Sequence, residues 1–323
     1  MYMETRRAFL TGIRKFELQK AEIEPRPEQV LIKVAVCGLC HYELNHWKGL
    51  IGTFPQPVGH EVAGEVVATG SLVTNLKAGD RVTTLFEPDE QCGFSDYLCV
   101  TAKHCVKLPP NVPMEEAVCE PVMCALNVIR QAKPEAGDHA VLVGCGCMGL
   151  WAAQLLKGNL LTTLTAIDFN EERLELAKQY GATHTINPGK EQVEERLEEI
   201  TNGHLADFVI EGTGIPAVLN DCLRYLRPSG GGRLLMMSSH EQITKELDLR
   251  EGVRKSAVLI VAHGGLSSDQ HDDLRRTVEL LAAGKVNTKD MITNRFKLEE
   301  IQKAFEALEH PPAGYLKGII VPE

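Results

Sequence analysis

Two short clusters in the first hundred residues hold the side chains best suited to chemistry. One is Cys37-Gly38-Leu39-Cys40-His41-Tyr42-Glu43, the other Gly59-His60-Glu61-Val62-Ala63-Gly64-Glu65. A thiolate and an imidazole are ligands that suit zinc, and a nearby carboxylate completes or orients such a site. On spacing alone two other readings stay open. Cys37 and Cys40 have the spacing of a redox pair, and His60-Glu61 fits an ordinary surface turn.

A second kind of chemistry is suggested by the run from His139 to Leu156, HAVLVGCGCMGLWAAQLL. Ala140 to Val143 reads as a buried strand, followed by Gly144-x-Gly146-x-x-Gly149 and an apolar-periodic helix. Gly144 allows the turn, Gly146 lets backbone amides approach a pyrophosphate, and Gly149 lets the helix pack on the strand. The helix N-terminus, around Met148, then offers unpaired N–H groups to phosphates. A further strand, Leu164 to Ile167, ends in Asp168, nineteen residues after Gly149. That is where a ribose-binding acid belongs, and a carboxylate there repels a 2′-phosphate, so NAD is expected rather than NADP. Arg173, on the next helix, completes the candidate cofactor contacts. The competing reading of Asp168 is an acid at a helix start, ahead of Asn170.

The bulk numbers narrow the class. A chain of 323 residues with 44% apolar content can bury a sizeable core in one or two domains. A net charge of −10 argues against a general nucleic-acid or anionic-membrane binder. No apolar run approaches the ~20 residues needed to span a bilayer, and MYMETRRAFL has no secretory pattern. Ten cysteines, several inside apolar strands, fit reduced thiols in a cytoplasmic enzyme.

The elements that must position these residues follow from patterning. Ala8–Leu10, Phe16–Leu18, Val30–Val36 and Val62–Ala68 read as strands of a β-rich, partly antiparallel domain. From residue 139 strands alternate with helices. Glu171–Tyr180 and Val193–Ile200 read as helices, and Thr183–Ile186, Phe208–Ile210 and Arg233–Met237 as strands. The turn after Ile210, Glu211-Gly212-Thr213-Gly214, is a candidate cofactor contact or a plain loop. AVLIVA, residues 257–262, is expected as a sixth strand at a sheet edge. Leu274–Ala283 and Leu298–Leu308 (helices), and Ile292–Phe296 and Gly318–Val321 (strands), return the chain to the first domain.

In combination and in order, these motifs resemble the zinc-dependent medium-chain dehydrogenase/reductase family, in its alcohol and polyol dehydrogenase branch. The similarity runs from about Arg7 to Pro322. It includes the GHExxGxVxxxG pattern at Gly59, His60, Glu61, Gly64, Val66 and Gly70, then Gly79-Asp80-Arg81-Val82, Gly93-Phe94-Ser95-Asp96-Tyr97, Leu108-Pro109 and Glu120-Pro121. The resemblance implies a doubly wound α/β Rossmann domain for NAD, residues 124–262. It also implies a discontinuous GroES-like catalytic domain, residues 1–123 and 263–323, with the active site in the cleft between the two. It implies Cys40 and His60 as zinc ligands, and Cys37 as a core thiol. Glu120 is the expected third ligand, as in the polyol-like branch, with Cys119 and Cys124 as alternatives, and Glu61 either joins the metal or stands behind it. Assembly as a homodimer or tetramer through the edge strand 257–262 is also implied.

The chain departs from the family in three places. Tyr42 stands where a Ser or Thr usually takes the substrate proton, and either relays that proton or fills the pocket. Glu43 replaces an Asp and is expected to support a ligand histidine or hold an arginine. Asn45 stands where many relatives have a histidine, with His46 next door. The four-cysteine lobe of a structural zinc is absent between Val82 and Gly93, and Cys92, Cys99 and Cys105 lack paired spacing. One catalytic zinc per chain is therefore expected. Pocket-lining residues are expected in loops around Trp47, Phe54, Phe86 and the segment after Gly264. The function implied is hydride transfer between NAD(H) and a secondary alcohol, such as a polyol, cyclitol or sugar, or the matching ketone. An L-threonine-type amino alcohol dehydrogenase and a non-catalytic NAD-binding sensor or structural protein are the alternatives.

Overall fold

The run Gln29–Gly38 (QVLIKVAVCG) is apolar almost throughout and forms the central strand of the first half. The computed structural model describes residues 2–87, 90–228, 230–239, 247–263 and 267–322 of the chain. Two units are formed: Met1–Pro121 with Leu274–Glu323, and Val122–Asp273.

In the first unit, among the described residues, a seven-stranded sheet runs in the order Ile292–Phe296, Lys317–Ile320, Gln29–Gly38, Val62–Thr69, Arg81–Thr84, Cys105–Lys107. Tyr97–Thr101 pairs with Gln29–Gly38 as well. The register of the central pair decides the chemistry. Gln29–Gly38 and Val62–Thr69 run antiparallel with Cys37 opposite Val62. The chain leaving the first strand, at Cys40, therefore lies beside the chain entering the second, at His60. The strand Lys317–Ile320 closes on the same end, with Ile319 opposite Gly38 and Ile320 opposite Cys37. Beneath the sheet Phe94, Phe305 and Trp47 fill the core, and Phe16 and Phe54 pack against it. Trp47, expected in a pocket-lining loop, is instead only 1% exposed, its ring 6.0 Å from that of Phe305. It ends the helix His41–Trp47, which packs on the helix Ile301–Glu309. Phe86 likewise packs against this core, while the expectation for the segment after Gly264 falls outside the described residues.

The second unit is a parallel sheet of six strands among the described residues. Its order is His184–Ile186, Thr163–Ile167, His139–Val143, Phe208–Glu211, Arg233–Met236, Val258–Val261. Counted along the unit this is 3-2-1-4-5-6, the doubly wound order whose ligand crevice lies between its first and fourth strands. Both glycine turns foreseen in the sequence sit there, because the strands His139–Val143 and Phe208–Glu211 are hydrogen-bonded neighbours. The edge strand is where the apolar run 257–262 was expected, with Val258, Leu259 and Val261 exposed. The return to the first unit, expected at 263, comes at Leu274. Asp273 still belongs to the nucleotide unit, where it is buried and paired with Arg130 and Ser267.

Candidate active site

Cys40 has extended backbone angles and caps the helix His41–Trp47, its thiol accepting from the Tyr42 amide at 3.5 Å. That helix turns Glu43 inward, where it is 1% exposed and its Oε1 lies 2.5 Å from His60 Nδ1. The carboxylate holds the proton on Nδ1, so Nε2 faces the other way, 3.7 Å from Glu120 Oε2. Glu120 comes from the first turn of the helix Cys119–Ala132. His60 is thereby shared by two clusters of potential metal ligands, Cys40–Glu43–His60 and His60–Glu61–Glu120. In each, the ligand atoms lie within 4.8 Å of one another. No other such cluster occurs among the described residues.

Two glycines make this convergence fit. Gly59 adopts φ 110°, and a Cβ on it would lie 2.6 Å from the Phe94 amide nitrogen. A Cβ on Gly38 would lie 1.7 Å from Glu61 Oε2. Any side chain at Gly38 would thus expel Glu61, which is 1% exposed. Glu61 is held by Lys317, whose Nζ lies 2.7 Å from Oε1 and 2.6 Å from Oε2, and which also donates to the Leu39 carbonyl at 2.8 Å. Sequence reasoning missed Lys317. Its one signal was a cation at the head of an otherwise apolar closing strand, which demands a buried partner without naming it.

The electrostatics follow from burial among acids. Burial pushes the His60 imidazole down, but Glu43, Glu120 and Cys40 outweigh it and raise it well above its ordinary value. The cluster therefore favours positive charge beside Nε2. Burial raises the Glu61 carboxyl although Lys317 pulls it down. Burial, then Glu43 and Glu61, push the Cys37 thiol well up, and it points into the core as an inert thiol. Cys40 is raised by burial too, against a hydrogen bond from His60 that lowers it.

Tyr42 is 39% exposed, its ring edge-on to His60 at 5.8 Å and to His46 at 4.7 Å. His46 is buried and paired through Nδ1 with Gln56 Nε2 at 2.8 Å. It is therefore tied into the wall beside Tyr42.

In the nucleotide unit Gly144 takes φ 95°, and a Cβ on Gly149 would lie 2.0 Å from the Gly144 carbonyl. The first position needs glycine for its turn and the last for close packing. Gly146 caps the helix Cys147–Leu156 and faces open space, with Met148 half-buried in its first turn. Asp168 Oδ2 accepts from the Cys145 amide at 2.7 Å and Oδ1 from the Asn170 amide at 2.8 Å. It therefore braces the glycine turn. The next helix is capped by Asn170, which accepts from the Arg173 amide at 3.1 Å, and not by Asp168. Glu211 Oε1 accepts from the Thr213 and Gly214 amides within its own turn.

Residues 26–110 match the family model of the alcohol dehydrogenase GroES-like domain, and residues 147–283 that of the zinc-binding dehydrogenases. A probable D-xylulose reductase A of Aspergillus clavatus is 30% identical, over 88% of this chain and 87% of its own. The chain belongs to the zinc-dependent medium-chain dehydrogenases. An L-threonine 3-dehydrogenase of Bacillus velezensis is likewise 30% identical, over 91% of each chain. The crystal structure of 2R,3R-butanediol dehydrogenase from Bacillus subtilis superposes with a TM-score of 0.86 at 27% identity, covering 99% of this chain and 100% of that one.

Membership makes the protein an oxidoreductase of the alcohol and polyol dehydrogenase type that works with zinc and a nicotinamide cofactor. The residues fit the metal on their own terms. His60 offers an imidazole whose Nδ1 is already fixed by Glu43, and of the two clusters that share it one adds the thiol of Cys40 and the other the carboxylate of Glu120, in an acidic buried site that favours positive charge.

Proposed function

We propose that this dehydrogenase oxidises a secondary alcohol of a polyol, cyclitol or sugar with NAD, and reduces the matching ketone, through one zinc held by Cys40, His60 and Glu120. The observation that carries this reading is His60, fixed by Glu43 on one side and facing Glu120 on the other. When bound, zinc supplies the Lewis acidity that lowers the pKa of an alcohol oxygen, and NAD supplies the hydride acceptor. The chain's own residues do the rest. Glu43 keeps the Nδ1 proton of His60 in place. Glu61 stays with Lys317 as a buried counter-charge behind the ligands. Tyr42 Oη, at the pocket rim, accepts a hydrogen bond from the substrate hydroxyl and donates its own proton outward. Asp168 keeps lone pairs beyond its two amide contacts for ribose hydroxyls, and its charge disfavours a 2′-phosphate. Gly144, Gly146, Met148, Gly149 and Arg173 line the approach of the pyrophosphate.

A carboxylate in place of a second thiolate makes the ligand set harder and more polar, which suits a polyhydroxylated substrate. The L-threonine reading has the support of a relative of equal identity. An amino acid, however, brings a carboxylate that calls for a cation. The polar residues lining the depression beside the site are Tyr42, Glu43, His46, Gln56 and Gln91, with no Lys or Arg among the described ones. The exposed apolar edge Val258–Val261 invites pairing with a second copy, and we assign it as the interface of a homodimer, or of a tetramer built from dimers. No described helix is long and apolar enough to cross a membrane. None of the ten cysteines is joined in a disulfide, which supports a reducing, cytoplasmic setting.

The test is metal content per chain on protein purified without chelator, followed by a polyol and sugar-alcohol screen with NAD. One zinc per chain and NAD-dependent turnover are expected. Cys40→Ala should abolish zinc and turnover while NAD still binds, and activity retained in that variant would refute the metal mechanism.

A further inference from the structure

Beside Glu43 the first unit holds a depression of about 240 Å³. Its lining combines the apolar Pro57 and Val58 with the polar Tyr42, His46, Gln56 and Gln91. Glu43 contributes to that lining, and its Oε2, itself fully buried, meets no donor among the described residues.

The amide wall is built, not incidental. Gln56 Nε2 donates to His46 Nδ1 at 2.8 Å, which puts the imidazole proton on Nε2. Gly52 makes room for that pair, since a Cβ there would lie 2.2 Å from His46 Nδ1. Gln91 is clamped from both sides. Before it, the buried carboxylate of Glu90 accepts from Thr101 Oγ1 at 2.7 Å, Gln29 Nε2 at 2.8 Å and the Thr101 amide at 3.1 Å. After it, Ser95 Oγ donates to the Cys92 carbonyl at 2.8 Å, and the Gly93 amide donates to the Gly59 carbonyl at 2.9 Å. Gly59 is the residue before His60, so the clamp ties Gln91 to the backbone that presents the candidate ligand.

We propose that Gln91, acting with Gln56, is a specificity-determining residue that recognises substrate hydroxyls beyond the reacting carbon. A primary amide both donates and accepts, as a hydroxyl does, while Pro57 and Val58 suit the C–H edge of the same carbon chain. A site built to hydrogen-bond a hydroxyl rejects the analogue that lacks it, because its own polar groups are left unpaired. The pocket therefore selects a chain with several hydroxyls over a monohydric alcohol of the same length. Glu90 is the positioning residue behind Gln91. This inference rests on the dehydrogenase reading above.

The experiment compares xylitol with 2-pentanol, using NAD and the zinc-loaded full chain. The wild type should favour xylitol on the order of 100-fold in kcat/KM. Gln91→Leu should lower kcat/KM for xylitol about tenfold, mainly through KM, and leave 2-pentanol within about twofold. Glu90→Gln, which keeps the shape of the clamp and removes its charge, should give a smaller loss confined to xylitol, with zinc content unchanged. Equal losses on both alcohols in Gln91→Leu, or no loss on xylitol, would overturn the proposal and leave the dehydrogenase reading standing. A zinc-loaded wild type that oxidises neither alcohol would overturn both.

Discussion

Replacing Glu43 by Gln keeps the side chain's size and removes one negative charge from behind His60. Glu43 is 1% exposed, and its Oε1 lies 2.5 Å from His60 Nδ1. A hydrogen bond to a charged group contributes about 1.5–3 kcal/mol against roughly 1 kcal/mol for a neutral pair. The exchange should therefore remove about 1–2 kcal/mol of support for the imidazole as a ligand, a factor of roughly 5–30 in zinc affinity. That overlaps the 10–100-fold loss, roughly, that follows when such outer partners are removed. The assay is a competition titration of the zinc-loaded protein against a chelator of known affinity, with bound metal read by atomic absorption. Glu43→Gln should lose zinc at the weaker chelator activity, and its turnover should recover towards wild type when zinc is saturating. Glu43→Leu removes the acceptor and strands the Nδ1 proton, so affinity should fall in the order Glu, Gln, Leu. Zinc affinity of Glu43→Gln within about twofold of wild type, or a leucine variant that outperforms glutamine, would refute the assignment of Glu43 as the group that holds His60.

Lys317→Met leaves the Glu61 carboxylate buried without its partner and should cost about 3–5 kcal/mol, read as a drop of roughly 10 °C in the first unit's thermal midpoint. The double variant Glu61→Gln/Lys317→Met should regain most of it, and no regain would show that the pair is not the source of the loss. Asp168→Ser should cut the preference for NAD over NADP at least tenfold or so in kcat/KM, since the charge that disfavours a 2′-phosphate is gone. An unchanged ratio would remove Asp168 as the ribose reader and leave only its brace on the Cys145 amide. Leu259→Lys puts a charge on the edge strand and should shift the protein to a monomer in analytical ultracentrifugation. An unaltered oligomer mass would place the interface elsewhere.

Much of this protein was decided within short stretches of sequence. The turn Gly144–Gly149 and the apolar strands beside it are local matters: a left-handed φ and a helix packed against a carbonyl exclude any side chain larger than hydrogen. The parallel sheet of the nucleotide unit follows from alternating strands and helices. Cys40 and His60 could be singled out together because their motifs resemble those of the family, and the structure brings them into one cluster. What the tertiary structure decided was partnership. Glu43 faces His60, 17 residues away, because the register setting Cys37 opposite Val62 brings those chain ends together. Lys317 meets Glu61 across 256 residues because the closing strand pairs with Gly38 and Cys37. Trp47 could equally have lined a pocket by its type, but the helix that carries it packs on Ile301–Glu309 and drives it into the core. Nothing in the sequence singles out Gln56 and Gln91, which share the lining of one depression with Tyr42 only in the folded unit. Residue type and backbone geometry are local properties, and a sequence states them. Which buried charge or amide meets which other is set by strand register and packing, where residues far apart in the chain become neighbours.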